Sequence, residues 1–405
     1  MSISWLQSPA GQAVIQSAKG HSDPLIAIPA LRKQFSQISP DLISLAFGQA
    51  QLQHRLEARW GVSAADLLLT DDGISQATRP EVARYRANFI ANKFGANAHV
   101  LDLTCGLGFD SREFARAGLR VTSIEIDPEV AEYAKHNLEH LGVEVHCADA
   151  NEFVIPNDVD VVFVDPARRD PIAAKDSAGN TKRIFNPSHW SPSWDKINEI
   201  ATSHPVIAKV APGIDKSDLE DWDARWISSD GDLVECFLSS AGTGIRAAVL
   251  IDSEKDLNIE VMGGTATNTA PLGNYLVVPD PALIRASALD AVAQACNGGL
   301  VNEHIAWLTS NEVDAVSELA KQSPSLAGVL KIESYFKFSE KHLVANLKDA
   351  TASGVTVMTR GMQLDVEAIR KLAVKATTTG GQELVIAIYR DDAGPQALIC
   401  RRYLS

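Results

Sequence analysis

From about residue 96 the chain alternates short apolar runs with helical stretches at a spacing that few folds accommodate. HVLDLTC (99–105) is an apolar run ending in a glycine loop, helix 110–117 follows, and Gly118 closes it. LRVTSIEI (119–126) reads as a second strand; Asp127-Pro128 then opens a helix over 128–141, which Gly142 stops. VEVHC (143–147), VDVVFV (159–164) and PVIAKV (205–210) read as further buried strands. Strand, helix, strand in this order predicts an α/β fold with a parallel sheet and right-handed crossovers, because parallel neighbours need a long connection over one face. DLVECFL (232–238) and IRAAVLI (245–251) are expected to pair as a hairpin at the sheet edge.

The flanks read differently. Residues 1 to about 95 are expected to be helical, with Ser8-Pro9 and Ser39-Pro40 each placing a capping hydroxyl before a first-turn proline. Thr78-Arg79-Pro80-Glu81 has the spacing of a capping box, and Val82, Tyr85, Phe89, Ile90 and Phe94 then share one helical face. Downstream, 263–273 reads as a loop and 280–296 as one helix, while 334–405 follows a β-α-β-α-β-β pattern. Its strands are expected near 334–338, 355–359, 384–390 and 396–402, with helices near 340–352 and 366–376. The 405 residues exceed what one core usually holds. The expected organisation is a helical region over 1–95, the sheet domain over 96–255, a mostly helical connector over 256–330 and a small α+β domain over 331–405.

Composition narrows the class. Hydrophobic residues make up 45% and charged residues 22%, as in soluble globular chains rather than disordered ones. No apolar run approaches the ~18 residues a membrane span needs, and MSISWLQSPAGQAV lacks the basic and apolar regions of a secretory signal. Five scattered cysteines, never in C-x-x-C spacing, argue against a disulfide framework or a metal site and for a reducing, cytoplasmic setting. Cys105 beside the glycine loop reads as a packing residue rather than a catalytic thiol, since no histidine stands at motif spacing from it. Net charge is −14, but residues 331–405 carry eleven Lys/Arg against eight Asp/Glu, leaving −17 on the remainder. The basic C-terminal segment has two readings, a docking face for a polyanion or ordinary surface variation.

Chemistry concentrates where the strands end. Asp102-Leu-Thr-Cys-Gly106-Leu-Gly108-Phe-Asp110 reads D-x-x-x-G-x-G between a strand and a helix. Its glycines let the backbone turn and approach a ligand, and the helix start offers free N–H groups to an anion. Dinucleotide enzymes use similar loops, but the third glycine of their fingerprint is replaced by Ser111. Glu125 ends the second strand, where a carboxylate can accept both hydroxyls of a ribose, and Asp149 follows the third, where it could meet an adenine edge. The fourth strand ends in Asp165-Pro166-Ala167-Arg168-Arg169, a carboxylate and proline-fixed carbonyls able to orient an amine for in-line attack. Acids at the carboxyl ends of successive strands share the edge where open α/β sheets bind ligands.

DLTCGLGFD, IEID, the loop around Asp149 and DPARR resemble motifs I to IV of class I S-adenosylmethionine-dependent methyltransferases. With ATRPEVARYRA, AKVAPGID (208–215) and YLVVPDPALIRASAL (275–289), nearly the whole chain resembles the bacterial methyltransferases that carry a helical N-terminal region and a C-terminal THUMP-like domain. The resemblance implies a Rossmann-like sheet, S-adenosyl-L-methionine as cofactor, no metal, and RNA, tRNA or rRNA, as partner. It also implies site residues. Asp102, Gly106, Gly108 and Asp110 would hold the methionine moiety, Glu125 the ribose and Asp149 the adenine, with Thr104, Ile126 and Ala150 also among the cofactor-binding residues. Asp165, Pro166 and Arg168 would face the acceptor.

One departure affects the acceptor. Amine methyltransferases with an Asp/Asn-Pro-Pro-aromatic motif stack the target base on the aromatic, whereas Ala167 and Arg168 stand here in the last two places. A guanidinium can stack on a base or clamp a phosphate, and it can equally pair with an acid such as Asp170. The loop over 174–194 carries Lys175, Lys182, Arg183, Phe185, Trp190 and Trp194, read either as a base-stacking lid or as a surface loop whose tryptophans cover the sheet. Lys209, ending the fifth strand, either places an anion or reaches to solvent. The expected function is methylation of a base, such as an exocyclic amine of guanine, in structured RNA. The alternatives are a protein or small-molecule acceptor, a non-catalytic RNA-binding protein that keeps the fold, and, more distantly, a dinucleotide oxidoreductase.

Overall fold

The computed structural model describes residues 2–167, 189–219, 221–348 and 350–403. The chain divides into two units, residues 1–210 with 238–241, and residues 211–237 with 242–405.

In the first unit six helices precede the sheet: α1 (Ser2–Gln7), α2 (Pro9–Ala18), α3 (Pro24–Gln34), α4 (Pro40–Trp60), α5 (Asp71–Gln76) and α6 (Pro80–Phe94). Ser8 and Ser39 cap α2 and α4 by accepting the N–H groups of Gly11 and Leu42, with proline in the first turn of each. The expected capping box at Thr78 does not form. Arg79 stands at the N-cap of α6 and no side chain caps the helix start, the Thr78 hydroxyl being engaged with Asp110. The buried face of α6 is Val82, Ala83, Arg86, Ala87 and Ile90, so only Val82 and Ile90 of the expected stripe are buried. Leu6, Ile15, Ile43, Leu56 and Leu68 from the N-terminal segment form one core with Leu107 and Tyr133.

The sheet of this unit contains β1 (His99–Asp102), β2 (Arg120–Glu125), β3 (Glu144–Cys147), β4 (Val161–Val164) and β5 (Val206–Val210), joined through α7 (Phe109–Arg116), α8 (Pro128–Glu139) and α9 (Trp194–Ala201). Its order is β3-β2-β1-β4-β5, and every neighbouring pair is parallel. The chain winds outward from β1 in one direction and from β4 in the other. That reversal falls between the carboxyl ends of β1 and β4, the place where such sheets bind ligands. Beyond β5, the Ser240 N–H donates to the Val206 carbonyl at 2.9 Å.

The second unit contains β6 (Asp223–Ser229), most of β7 (Asp232–Ser239), β8 (Arg246–Asp252) and β9 (Leu257–Met262), in the order β7-β6-β8-β9. The expected hairpin of 232–238 with 245–251 is therefore not made. β6 lies between the two strands and runs parallel to β8, which instead pairs antiparallel with β9. The predicted helix over 280–296 is two helices, α10 (Pro281–Ala286) and α11 (Leu289–Cys296), broken where Ser287 adopts a left-handed φ of 60°.

The remaining elements are β10 (Tyr275–Pro279), β11 (Gly299–Asn302), β12 (Ile305–Ser310), α12 (Val313–Lys321), β13 (Ala327–Lys337), α13 (Glu340–Leu347), β14 (Thr351–Ala352), β15 (Val355–Arg360), α14 (Val366–Ala376), β16 (Thr378–Thr379), β17 (Leu384–Asp391) and β18 (Gly394–Arg402). They follow the expected β-α-β-α-β-β order after residue 334 with two differences, the first helix stopping at Leu347 and the short strands β14 and β16 pairing with each other, and the sheet does not end there. Its order is β11-β12-β10-β13-β18-β17-β15, so β13 pairs with β18 on one side and with β10 on the other. Among the described residues, no helix is long and apolar enough to cross a membrane.

Candidate active site

β1 delivers Asp102 to the start of the glycine loop with its side chain fully buried. The carboxylate accepts the Thr104 N–H at 3.1 Å and the Ser111 hydroxyl at 2.5 Å, and Ser111 in turn meets the Ser123 hydroxyl at 2.8 Å. Burial pushes the Asp102 carboxyl up to about 7; the two hydrogen bonds oppose the shift, and the charges of Asp110 and Asp165 add to it. An acid with a raised folded-state pKa holds its proton more tightly in the native state. Its favourable contribution is complete below about pH 4, the unfolded value, and is lost as pH rises through about 7. Wild-type protein is therefore expected to lose stability across that window relative to Asp102→Asn. Melting temperatures of the two proteins measured from pH 4 to 8 check this, and parallel curves would refute it.

The two loop glycines have different reasons. Gly106 has φ 56°, and a Cβ built there would meet nothing within 4 Å, so the backbone borders open space. Gly108 has φ 87° at the N-cap of α7, and a Cβ there would come within 2.7 Å of the Leu138 side chain. Glu125, ending β2, accepts the Gly106 N–H at 3.0 Å and the Asp127 N–H at 2.9 Å, and desolvation raises its pKa. Ile126 beside it is 61% exposed. Asp149 and Ala150 are half-buried in the loop after β3, and Asp149 Oδ1 accepts the N–H and the side-chain amide of Asn151, each at 2.8 Å.

β4 ends in Asp165, whose N–H donates to the Thr104 hydroxyl at 2.7 Å and so ties the loop after β4 to the loop after β1. The Asp165 carboxylate pairs with Lys209 of β5 at 2.5 Å. The Lys209 ammonium also donates to the Thr78 hydroxyl at 2.9 Å, and that hydroxyl donates to Asp110 at 2.7 Å. The other Asp110 oxygen pairs with Arg86, a fully buried guanidinium lying 5.1 Å over the Phe163 ring. Pro166 is buried, and Ala167 forms a bridge to Ser191. Arg168, expected at the acceptor, lies outside the described residues, as do Arg169, Lys175, Lys182, Arg183 and Phe185.

The sequence-predicted residues thus fall into two groups. Glu125, Ile126, Asp149, Ala150 and the Gly106 backbone collect after β1, β2 and β3, with Asp165 beside them after β4. Asp102 and Asp110 are instead buried and spent on protein partners. Trp190 and Trp194 are buried and meet edge to face at 6.2 Å, the covering role rather than a stacking platform. Lys209 is neither a free anion site nor a solvent-reaching cation, being 8% exposed and paired. Sequence reasoning missed Thr78 and Arg86 as members of the site. An arginine amid the buried face of α6 was the one available signal.

Comparison with known proteins agrees with this geometry. Residues 100–173 match the family described as methyltransferase domain, and residues 327–402 match the family described as THUMP domain-like. A Mycobacterium tuberculosis protein named as an uncharacterized S-adenosylmethionine-dependent methyltransferase is 26% identical over 384 residues, spanning 92% of this chain and 99% of its own length. A tRNA (guanine(10)-N2)-dimethyltransferase of Methanothermobacter thermautotrophicus is 33% identical over 90 residues, 22% of this chain and 26% of that one. A crystal structure of a protein assigned as a methyltransferase from Porphyromonas gingivalis superposes with a TM-score of 0.67 at 17% identity, covering 99% of this chain and 97% of its own; at that identity the likeness speaks for the fold.

Proposed function

We propose that this chain, a class I S-adenosylmethionine-dependent methyltransferase carrying a C-terminal THUMP-like domain, methylates a base of structured RNA, tRNA or rRNA, at an exocyclic amine of guanine or a similar base. The observation that carries the proposal is the position of Asp165. It stands at the carboxyl end of β4, at the reversal of strand order, and is tied through Thr104 to the glycine loop.

S-adenosylmethionine supplies an activated methyl group on its sulfonium. The residues fit such a ligand. The Gly106 backbone borders open space, Ile126 offers an exposed apolar face to a base, and Glu125 and Asp149 offer carboxylates beside it. In this reading Glu125 holds the ribose hydroxyls, Ile126, Asp149 and Ala150 hold the adenine, and Thr104, Gly106 and Gly108 shape the loop at the methionine end. Asp102 and Asp110 act beneath that loop, keeping its turn and the start of α7 in place. Lys209 fixes Asp165 Oδ2, and Asp165 Oδ1 has no bond among the described residues. That oxygen and the carbonyl before Pro166 would hold the acceptor amine with its lone pair aimed at the methyl group. Arg168 would lie on the acceptor side.

An RNA acceptor draws support from the THUMP domain-like match and from the relative named as acting on a tRNA guanine. A protein or small-molecule acceptor is the second reading, favoured by the −17 charge outside residues 331–405. Mass spectrometry of modified nucleosides in total RNA from a deletion strain separates the two. Loss of one methylated nucleoside is the expected result, and an unchanged nucleoside profile would turn the assignment toward the second reading.

A further inference from the structure

Of the two segments 208–215 and 275–289, which carry the family resemblance, only Lys209 belongs to the site above. In the second unit the end of the first segment and the turn at Ser287 within the second meet around Trp226. Trp226 is fully buried and donates its indole N–H to the Pro212 carbonyl at 3.0 Å. The Lys216 ammonium lies 5.6 Å and the Arg285 guanidinium 5.5 Å from the centre of that one ring. Lys216 donates to the Ser287 hydroxyl at 2.9 Å, and Arg285 donates to the Ile214 carbonyl.

Among the described residues, no carboxylate forms an ion pair with Lys216, Arg285 or Arg246. Arg246 approaches closely enough to act on Lys216, but its guanidinium is taken up by the carbonyls of Leu219, Trp222, Gly244 and Ile245. Partial desolvation first, then the charges of Arg285 and Arg246, hold the Lys216 pKa below the usual lysine range. Asp215, the acid near Arg285, has Oδ1 turned onto the N–H and hydroxyl of Ser217. The Arg285 Nε is buried with no hydrogen-bond partner among the described residues. Lys216 is exposed, and two of its three donors have no partner among the described residues. Like charges held beside one ring are repulsive, and an anion bound next to them offsets that repulsion while meeting the open donors of Lys216.

We infer that Lys216, Arg285 and Ser287 form a binding site for a phosphate group, and that its occupant is a backbone phosphate of the RNA substrate. The inference rests on the RNA reading above for the identity of the occupant. A phosphate contact of this kind positions the RNA without reading its sequence.

The test is fluorescence anisotropy of labelled total tRNA from a deletion strain, titrated with wild-type protein, Lys216→Gln and Lys216→Arg over a range of salt concentrations. Because Lys216 is exposed, its replacement leaves the fold intact, which thermal melting checks. Lys216→Gln is expected to weaken binding about tenfold, the loss of one charge-assisted hydrogen bond. It should also lower the slope of log K against log salt by about 0.7–0.9, one phosphate contact. Lys216→Arg should keep the wild-type slope. Tight binding by wild type with an unchanged slope in Lys216→Gln overturns the site. If wild type binds no RNA, the RNA reading fails by itself, and calorimetry with inorganic tripolyphosphate decides the rest. Binding that Lys216→Gln abolishes keeps the phosphate site for a smaller ligand, and absence of binding overturns it.

Discussion

Asp165→Ala is expected to lower methyl transfer about a thousandfold while leaving S-adenosylmethionine binding within a factor of a few of wild type. The two effects separate because the side chains assigned to the cofactor, Glu125, Ile126 and Asp149, come from β2 and the loops after β2 and β3, whereas Asp165 comes from β4. Its main-chain bond to Thr104 survives side-chain truncation, so the glycine loop keeps that tie. Lys209, nearly buried, loses its carboxylate partner, which costs some stability. Asp165→Asn controls for that cost, since it keeps the shape and one acceptor oxygen while removing the charge. Titration calorimetry with S-adenosylhomocysteine and labelled methyl transfer to RNA from a deletion strain read the two quantities. Parallel loss of both would show that Asp165 maintains the loop instead of serving the acceptor.

Arg86→Leu should destabilise the protein by about 3–5 kcal/mol, because it strands a buried carboxylate. Asp110 is 8% exposed, Arg86 is fully buried, and among the described residues the Thr78 hydroxyl is the remaining side-chain bond to Asp110. At about 2–4 °C per kcal/mol for a unit of this size, the melting temperature should fall by roughly 10 °C. The Phe163 contact adds a smaller part of the loss. Replacing both partners, Arg86→Leu with Asp110→Leu, should recover much of the stability, since a matched apolar pair carries no desolvation penalty. A single-variant loss below about 1 kcal/mol would mean that the pair does not hold α6 against α7.

What the sequence disclosed and what it hid follow one physical division. Strand ends marked by glycine or Asp-Pro were legible, because backbone conformation restricts those positions locally. β6 was missed because its run, DARWISS, places Asp223 and Arg225 among apolar residues, and both are buried through pairing, with Arg225 on Glu260 at 2.9 Å. The break at Ser287 has no glycine or proline to announce it. Thr78 was misread because a hydroxyl followed by a glutamate three residues on satisfies a local rule, while its partners, Asp110 and Lys209, lie 32 and 131 residues away. Arg86 has the same history with Asp110, 24 residues downstream. The rim of acids could be foreseen, since each belongs to its own strand end. The bonds that assign Asp102 and Asp110 to protein partners instead of ligand required the fold.

The pairing of β13 with β10 bears on how the C-terminal region can be handled. Residues 327–402 look self-contained by family match, yet Ala327–Lys331 are hydrogen-bonded to Tyr275–Pro279. An excised fragment starting at 327 would bare a raw strand border and strip Leu276, Ile305 and Trp307 from the apolar layer they share with Leu330, Val385 and Leu398. Such a piece would seek a substitute strand from its own copies. Clones meant to isolate this module should therefore begin upstream of Tyr275, carrying the whole seven-stranded sheet.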